Sequence, residues 1–392
     1  MSVVETKLNG SIGKSDGNGY TNGHMNGNGI ANGNKSNGTM TNGVNTEPDK
    51  PAEEYKVQIK WLNVVLFTYL HAAALYGMVL PWKWSSFISC FIYTVFAGFG
   101  TTVAAHRYFT HKAFKANKAL RWILIFLQTA CAQEPILNWA RDHRVHHKFT
   151  DTDADPYNSR RGFFFSHIGW LLCKKHPEVI RQGRKIDMSD LECDPMLRFQ
   201  RKYYHLIAFI LNLVIPTGIL VYMGEPAYIV WHGNVFRWVL LLNCVWCVNS
   251  VAHLWGMKPY DKNISPTDSR FVGFVALGEG WHNYHHVFPW DYKTAELAGY
   301  RWNISTAFID FFAWLGWATE LKTVPDDIVR RRVLRTGDGS HPYSKELAEK
   351  STGNNMSTEI RDTEHFWGFG DKEMTDEDMK YVRILKAENK SS

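Results

Sequence analysis

Residues 62–105 read LNVVLFTYLHAAALYGMVL, PWKW, SSFISCFIYTVFAGFGTTVAA, and this stretch decides the fold. The outer pieces, 62–80 and 85–105, contain no Asp, Glu, Lys or Arg. Each is long enough to cross a hydrocarbon core, which takes about 20 helical residues. The four residues between them, Pro81-Trp82-Lys83-Trp84, suit a tight turn with tryptophan at the membrane interface. Two similar stretches follow, 205–223 (HLIAFILNLVIPTGILVYM) and a run from Ile229 into Ala252. The last holds Arg237, which is expected near the membrane surface with its head snorkelling to water. The segment 119–132 is apolar but contains Arg121 and is too short to span, so an interfacial helix is expected there.

Outside the spans the chain changes character. Its 392 residues carry 44 Lys+Arg against 38 Asp+Glu, a mild excess, and no basic tract of the kind that binds nucleic acid. Mean hydropathy is −0.28, a soluble-looking average produced by polar ends. Residues 1–50 hold ten Gly, ten Asn and eight Asn-Gly pairs with no apolar runs to pair, so a disordered tail is expected. Six scattered cysteines have no disulfide-framework spacing, and Cys244-Val-Trp-Cys247 lies inside a span. The loop from His106 to Tyr204 carries 18 Lys/Arg, while the two hairpin connections carry Lys83 and Arg237. Positive charge near the spans places that loop in the cytosol, and with four spans both termini as well. The sequons at Asn37, Asn303 and Asn355 are then expected to stay unmodified.

Eight of the 17 histidines fall in three clusters: His106-Arg-Tyr-Phe-Thr-His111, His143-Arg-Val-His146-His147 and His282-Asn-Tyr-His285-His286. All three sit on the expected cytosolic face, where neutral imidazole can serve as a metal ligand. On a helix, positions i and i+4 lie about 40° apart and i+3 about 60° away on the other side. His143 and His147 can therefore converge on one ion while His146 leans toward another, and His282 and His286 repeat the pattern against His285. His106 and His111 would be about 140° apart on an ideal helix, so a distortion or a helix end must bring them together. Asn249-Ser-Val-Ala-His253 adds a ninth imidazole at the end of the fourth span. Nine imidazoles give two ions four or five ligands each, whereas structural zinc needs only four, usually with cysteine. The other eight histidines lack ligand spacing.

The three boxes, with DADPYNSRRGFFFSHIGWLL (153–172), HLWGMKPYDKNI (253–264), GEGWHNYHHVFPWDYKTAEL (278–297) and RTGDGSH (335–341), resemble the membrane fatty acyl-CoA desaturases, especially the insect type. The resemblance implies an enzyme of the endoplasmic-reticulum membrane with two iron ions. It would remove two hydrogens from adjacent methylenes of a fatty acyl-CoA, using O2 and electrons from cytochrome b5 and its reductase. Delta-9 is the commonest outcome in that family, with delta-11 and others among insect members. Carried over residue by residue, one iron would be held by His106, His111, His143, His147 and His285. The other would be held by His146, His253, His282 and His286, with Asn249 near it through a water. No catalytic residue is implied apart from these ligands. Acyl-CoA contacts correspond to Asn63, Arg141, Asp142, Lys174, Lys175 and Trp246. One departure stands out: relatives often have Asn after Gln133, and this chain has Glu134.

The expected architecture is an all-α membrane protein, four transmembrane helices capped by a cytosolic helical domain with a histidine-rich dimetal site. Its expected parts are the tail 1–55, the enzyme domain 56–341 and a polar cytosolic tail 342–392. No His-Pro-Gly-Gly haem signature and no Gly-x-Gly-x-x-Gly after a strand occur, so electrons should come from a separate protein. A histidine-box hydroxylase shares the box spacing. A metal transporter would instead need polar groups at mid-membrane depth.

Overall fold

The computed structural model describes residues 55–344 and 365–385. The expected disorder of 1–50 and the sequons at Asn37 and Asn355 lie outside them. The described residues from Val57 onward fall in one compact unit, and of the other unit only Tyr55 and Lys56 are described. In chain order the main helices are α1 (Trp61–Met78), α2 (Trp84–Thr110), α3 (Lys118–Ala130), α4 (Ile136–Lys148), α5 (Pro195–Tyr222), α6 (Ala227–Leu254), α7 (His282–Val287) and α8 (Ile304–Trp314).

Helices α1, α2, α5 and α6 are long and apolar enough to cross a membrane, which makes this a multi-pass membrane protein. Their outer faces leave Leu62, Leu75, Phe91 and Tyr222 exposed, the surface that lipid covers. Their inner faces are built from small residues. Leu70, Ala73 and Ala74 of α1 pack with Val235 and Val239 of α6. A Cβ added at Gly77 would lie 2.4 Å from the His232 carbonyl oxygen, so the two backbones can approach only with glycine there. Helix α3 is short, as expected, and is capped by Asn117, whose side chain accepts from the Leu120 N–H at 2.9 Å. Its buried face, Leu120, Leu124 and Ile125, joins Val103 and Ala104 of α2 and Leu197 of α5 in one core cluster.

The fold is mostly helical, with two short antiparallel ladders added. Strand β1 (Lys115–Ala116) pairs with β2 (Ala318–Thr319), and β3 (Leu321–Thr323) pairs with β4 (Arg383–Leu385). In the second ladder Leu321 faces Leu385 and Thr323 faces Arg383, which ties the described C-terminal segment to the body.

Arg237 corrects the sequence expectation. It does not snorkel but is 2% exposed, ten residues inside α6. Its guanidinium donates to the Asn212 side-chain and backbone oxygens, each at 2.8 Å, and to Asn234 Oδ1 at 2.8 Å. It also lies 5.0 Å from the Tyr93 ring centroid. The acceptors arise because α5 loosens into a π turn over Ile210–Val214, which turns the Leu211 and Asn212 carbonyls toward Tyr93 and Arg237. These contacts take the place of water for Nε and Nη2, while Nη1 is buried without a hydrogen-bond partner among the described residues. Asn303 is fully buried, caps α8 by accepting from Thr306 N–H at 3.1 Å, and accepts from Arg107. Its Nδ2 donates to the Lys293 carbonyl at 2.7 Å.

Replacing Arg237 by Leu strips the Asn212 and Asn234 oxygens of their donor. A loss on the order of 2–4 kcal/mol is expected, read as a lower Tm in detergent micelles. An unchanged Tm would show that the buried guanidinium does not hold α5 to α6.

Candidate metal centre

The four histidine-bearing elements end at one place. In α2 the last turns, Gly100–Thr110, are π-helical, and the His111 N–H donates to the His106 carbonyl at 3.1 Å, an i→i+5 closure. This is the distortion that the HxxxxH spacing demands, and it sets the two rings 4.7 Å apart, edge to face. Helix α4 carries His143, His146 and His147, and α7 carries His282, His285 and His286. The backbone of α6 breaks at Ser250, and the turn Val251–Leu254 delivers His253.

The nine imidazoles form two groups, all buried. His106, His111, His143, His147 and His285 make one, and His146, His253, His282 and His286 the other, with the ligand atoms of each within 4.8 Å of one another. Helices α4 and α7 each contribute to both groups, whereas α2 serves only the first and α6 only the second. Within the first group the Nε2 of His285 lies 2.9 Å from that of His106 and 3.1 Å from that of His147. Within the second, His282 Nε2 lies 3.0 Å from His253 Nε2 and 3.1 Å from His286 Nε2. One imidazole nitrogen has a single proton or a single lone pair and cannot bond two such neighbours at once. Lone pairs about 3 Å apart are what adjacent ligands of one ion present when metal–nitrogen bonds are ~2.1 Å. The donor set therefore fits two metal ions of the kind imidazole prefers, zinc, copper, iron or nickel. No cysteine joins either group among the described residues.

Around the rings runs an outer shell that orients them. His106 Nδ1 donates to Glu279 at 2.9 Å, and Arg107 also bonds Glu279, at 2.8 Å. The loop after α4 serves the other group: His146 Nδ1 donates to Asp155 at 2.9 Å, His253 Nδ1 to Asp151 at 3.1 Å, and Thr150 lies 3.5 Å from His286 Nδ1. Burial holds His111, His143, His147, His282, His285 and His286 well below the usual imidazole range, reinforced by neighbouring rings, so each is neutral and ready to ligate. His146 goes the other way, because the Asp155 carboxylate outweighs burial. Burial pushes Glu279 up, but Arg107 and His106 keep it below the ordinary carboxylate range.

These partners are the functional residues that histidine spacing does not show. Asp151 and Asp155 follow the middle box within eight residues, and Glu279 precedes the third by three, so proximity to the boxes is the available signal.

A cavity of about 250 Å³ borders the first group. His106 and His143 line it with Trp139, and Trp238, Leu242 and Val245 of α6 wall the part within the spans. Lys60, Glu134 and Lys175 stand at the other part. Of the six sequence-expected contacts, Lys175 and Trp246 line the cavity. Asp142 pairs with Lys175 and with Arg141, and Asn63 donates to the Leu171 carbonyl at 2.7 Å, one step behind the wall. Lys174 is exposed, and Asn249 lies on the cavity wall.

Comparison with known proteins agrees with this geometry. The sequence pattern of the family described as fatty acid desaturase matches residues 82–308. An acyl-CoA Delta-9 desaturase of Acheta domesticus is 50% identical over 345 residues, 87% of this chain and 90% of its own. An acyl-CoA Delta12-desaturase of the same species is 48% identical, covering 82% and 93%. An acyl-CoA Delta(11) desaturase of Trichoplusia ni is 49% identical, covering 73% and 83%. With more than half the chain matched and two buried histidine groups at the ends of its spans, the protein belongs to the fatty acid desaturase family of oxidoreductases.

Proposed function

We propose that this protein is an acyl-CoA desaturase that introduces a double bond, delta-9 in our reading, into a saturated fatty acyl chain. Two iron ions, O2 and electrons from cytochrome b5 and its reductase would complete the reaction, in the endoplasmic-reticulum membrane with both termini cytosolic. The observation that carries it is the cavity: its lining combines the charged Lys60, Glu134 and Lys175, the apolar Trp238, Leu242 and Val245 of a span, and His106 and His143 of the first histidine group.

A methylene in a saturated chain has no acidic proton and no leaving group, so side-chain acid/base chemistry cannot open it. Bound iron, held by the five- and four-histidine groups with Asn249 near the second through water, would supply oxygen activation strong enough for such a bond. The chain's own residues do the rest. Lys60 and Lys175, with Arg141 and Lys174 nearby, offer positive charge to CoA phosphates. Trp246 is held against the cavity by the His71 ring stacked at 6.3 Å and Phe67 at 5.8 Å. Gln133 donates to Thr101 at 3.1 Å and accepts from the Trp139 indole at 3.1 Å, which stiffens the wall beside His143. Apolar walls from α6 then exclude water from the reacting methylenes. Delta-9, Delta12 and Delta(11) names sit on relatives of nearly equal identity, so the bond position is read from product.

In yeast lacking its own desaturase, expression should yield new monounsaturated acids, with the double bond located by derivatisation and mass spectrometry. A hydroxy acid as main product would reassign the protein to the hydroxylases, and no new acid with cytochrome b5 present would sink the proposal. His147→Ala and His146→Ala should each abolish turnover while depleting different irons. Iron per chain and the spectrum of the remaining ion check this, and identical residual spectra would refute the split. Glu134 gives a pH signature. Burial and Asp142, against Lys175, Arg141 and Lys60, lift its carboxyl to about 7, from about 4.3 for an ordinary glutamate. The folded chain thus favours the proton, and stability present below pH ~4.3 is lost as pH rises through 7. Glu134→Gln should match the parent in stability at low pH and exceed it above pH 7, by on the order of 3–4 kcal/mol, read as a higher Tm. A pH-independent difference would contradict this.

A further inference from the structure

The segment HFWGFGDKEMTDEDMKYVRIL, residues 365–385, is not part of any histidine box, yet it reaches the first group. Trp367 is 3% exposed, and its carbonyl accepts a hydrogen bond from His111 Nδ1. The next turn returns the contact, with the Phe369 N–H donating to the His111 carbonyl at 3.0 Å. Between them Gly368 has φ +144°, and a Cβ there would lie 2.6 Å from His111 Cα and 2.7 Å from its oxygen. Only glycine lets the two backbones come this close.

The segment is anchored on both sides of that contact. Phe366 is buried in an aromatic cluster with Tyr260, Tyr284, Phe288 and Trp290, around the helix of the third box. The Trp367 ring lies 3.8 Å from the buried Arg144 guanidinium, on the helix of the second box. Asp371 receives the Trp367 N–H at 3.1 Å and pairs with Lys148 at 3.2 Å. Lys372 reaches Asp187 at 3.1 Å, and β4 closes on β3.

We infer that residues 365–385 are a strap that fixes the first histidine group, with the Trp367 carbonyl as the positioning group for His111. An Nδ1–H committed to a carbonyl leaves the Nε2 lone pair facing the metal and locks the ring's plane. The first group needs this contact more than the second does. Among the described residues His147 Nδ1 and His285 Nδ1 have no hydrogen-bond partner, and the outer contacts seen for that group are Glu279 on His106 and Trp367 on His111. The second group takes its contacts from Thr150, Asp151 and Asp155 and none from the strap.

This inference rests on the histidines being metal ligands, and the experiment separates the two. In the full-length purified protein, Gly368→Val pushes the carbonyl off His111, and Trp367→Ala removes the Arg144 stack while keeping the carbonyl. Iron per chain, the rate of iron release to a chelator and the spectrum of the remaining iron are measured. Gly368→Val should release one of the two irons about 10–100-fold faster than the parent, and the iron left behind should match that in His147→Ala. Trp367→Ala should speed the same release by several-fold, about the low end of that range. Asp155→Asn, which loosens the second group, should leave the opposite residual spectrum. Parent release rates in Gly368→Val, or equal loss from both sites, would overturn the strap. If Gly368→Val does not fold, a parent release rate in Trp367→Ala overturns it instead. A parent protein that binds no metal would overturn the ligand reading itself.

Discussion

Nine imidazoles packed beside one another in a dry site must all be neutral and must all point inward. Charging any one of them would cost desolvation and repel its neighbours, which is why burial depresses most of their pKa values. Orientation is the harder condition, since a ring free to flip presents the wrong nitrogen. Much of the surrounding structure answers that condition. The π turn in α2, the break at Ser250, the acidic loop after α4 and the Glu279 carboxylate each set a ring plane or a tautomer.

The membrane spans and the site are therefore not separate modules. Helix α2 crosses as a span and ends as a ligand carrier, and α6 walls the cavity before it delivers His253. The small residues that let α1 and α6 approach, Ala73, Ala74 and Gly77, also set where Trp246 and Phe67 meet the cavity. Packing within the bundle and the shape of the cavity are one geometry.

How much of this could be read in advance depends on the range of the interaction. Span length is a local property, and all four spans are visible in residues 62–252. Box spacing is local too: the i, i+4 rule sorts His143 and His147 from His146, and an unhelical 106–111 spacing calls for the distortion found there. The burial of Arg237 is not legible locally, because its Asn212 acceptors lie on another helix, where a π turn exposes the carbonyl. Glu279, Asp151 and Asp155 look like ordinary loop acids until the fold brings each against an imidazole. Trp367 is the extreme case, since a backbone carbonyl has no side-chain signature at all.

The two groups also differ in when they can be finished. His146 finds its outer partner Asp155 nine residues further along the chain, whereas His111 and Trp367 are 256 residues apart. At synthesis rates of about 5–20 residues per second, that separation amounts to roughly 10–50 s during which His111 has been made and its acceptor has not. The second group can settle its ring orientations as soon as His286 has emerged, because Thr150, Asp151 and Asp155 all precede it. The first cannot, and its assembly is the later event in the birth of the protein.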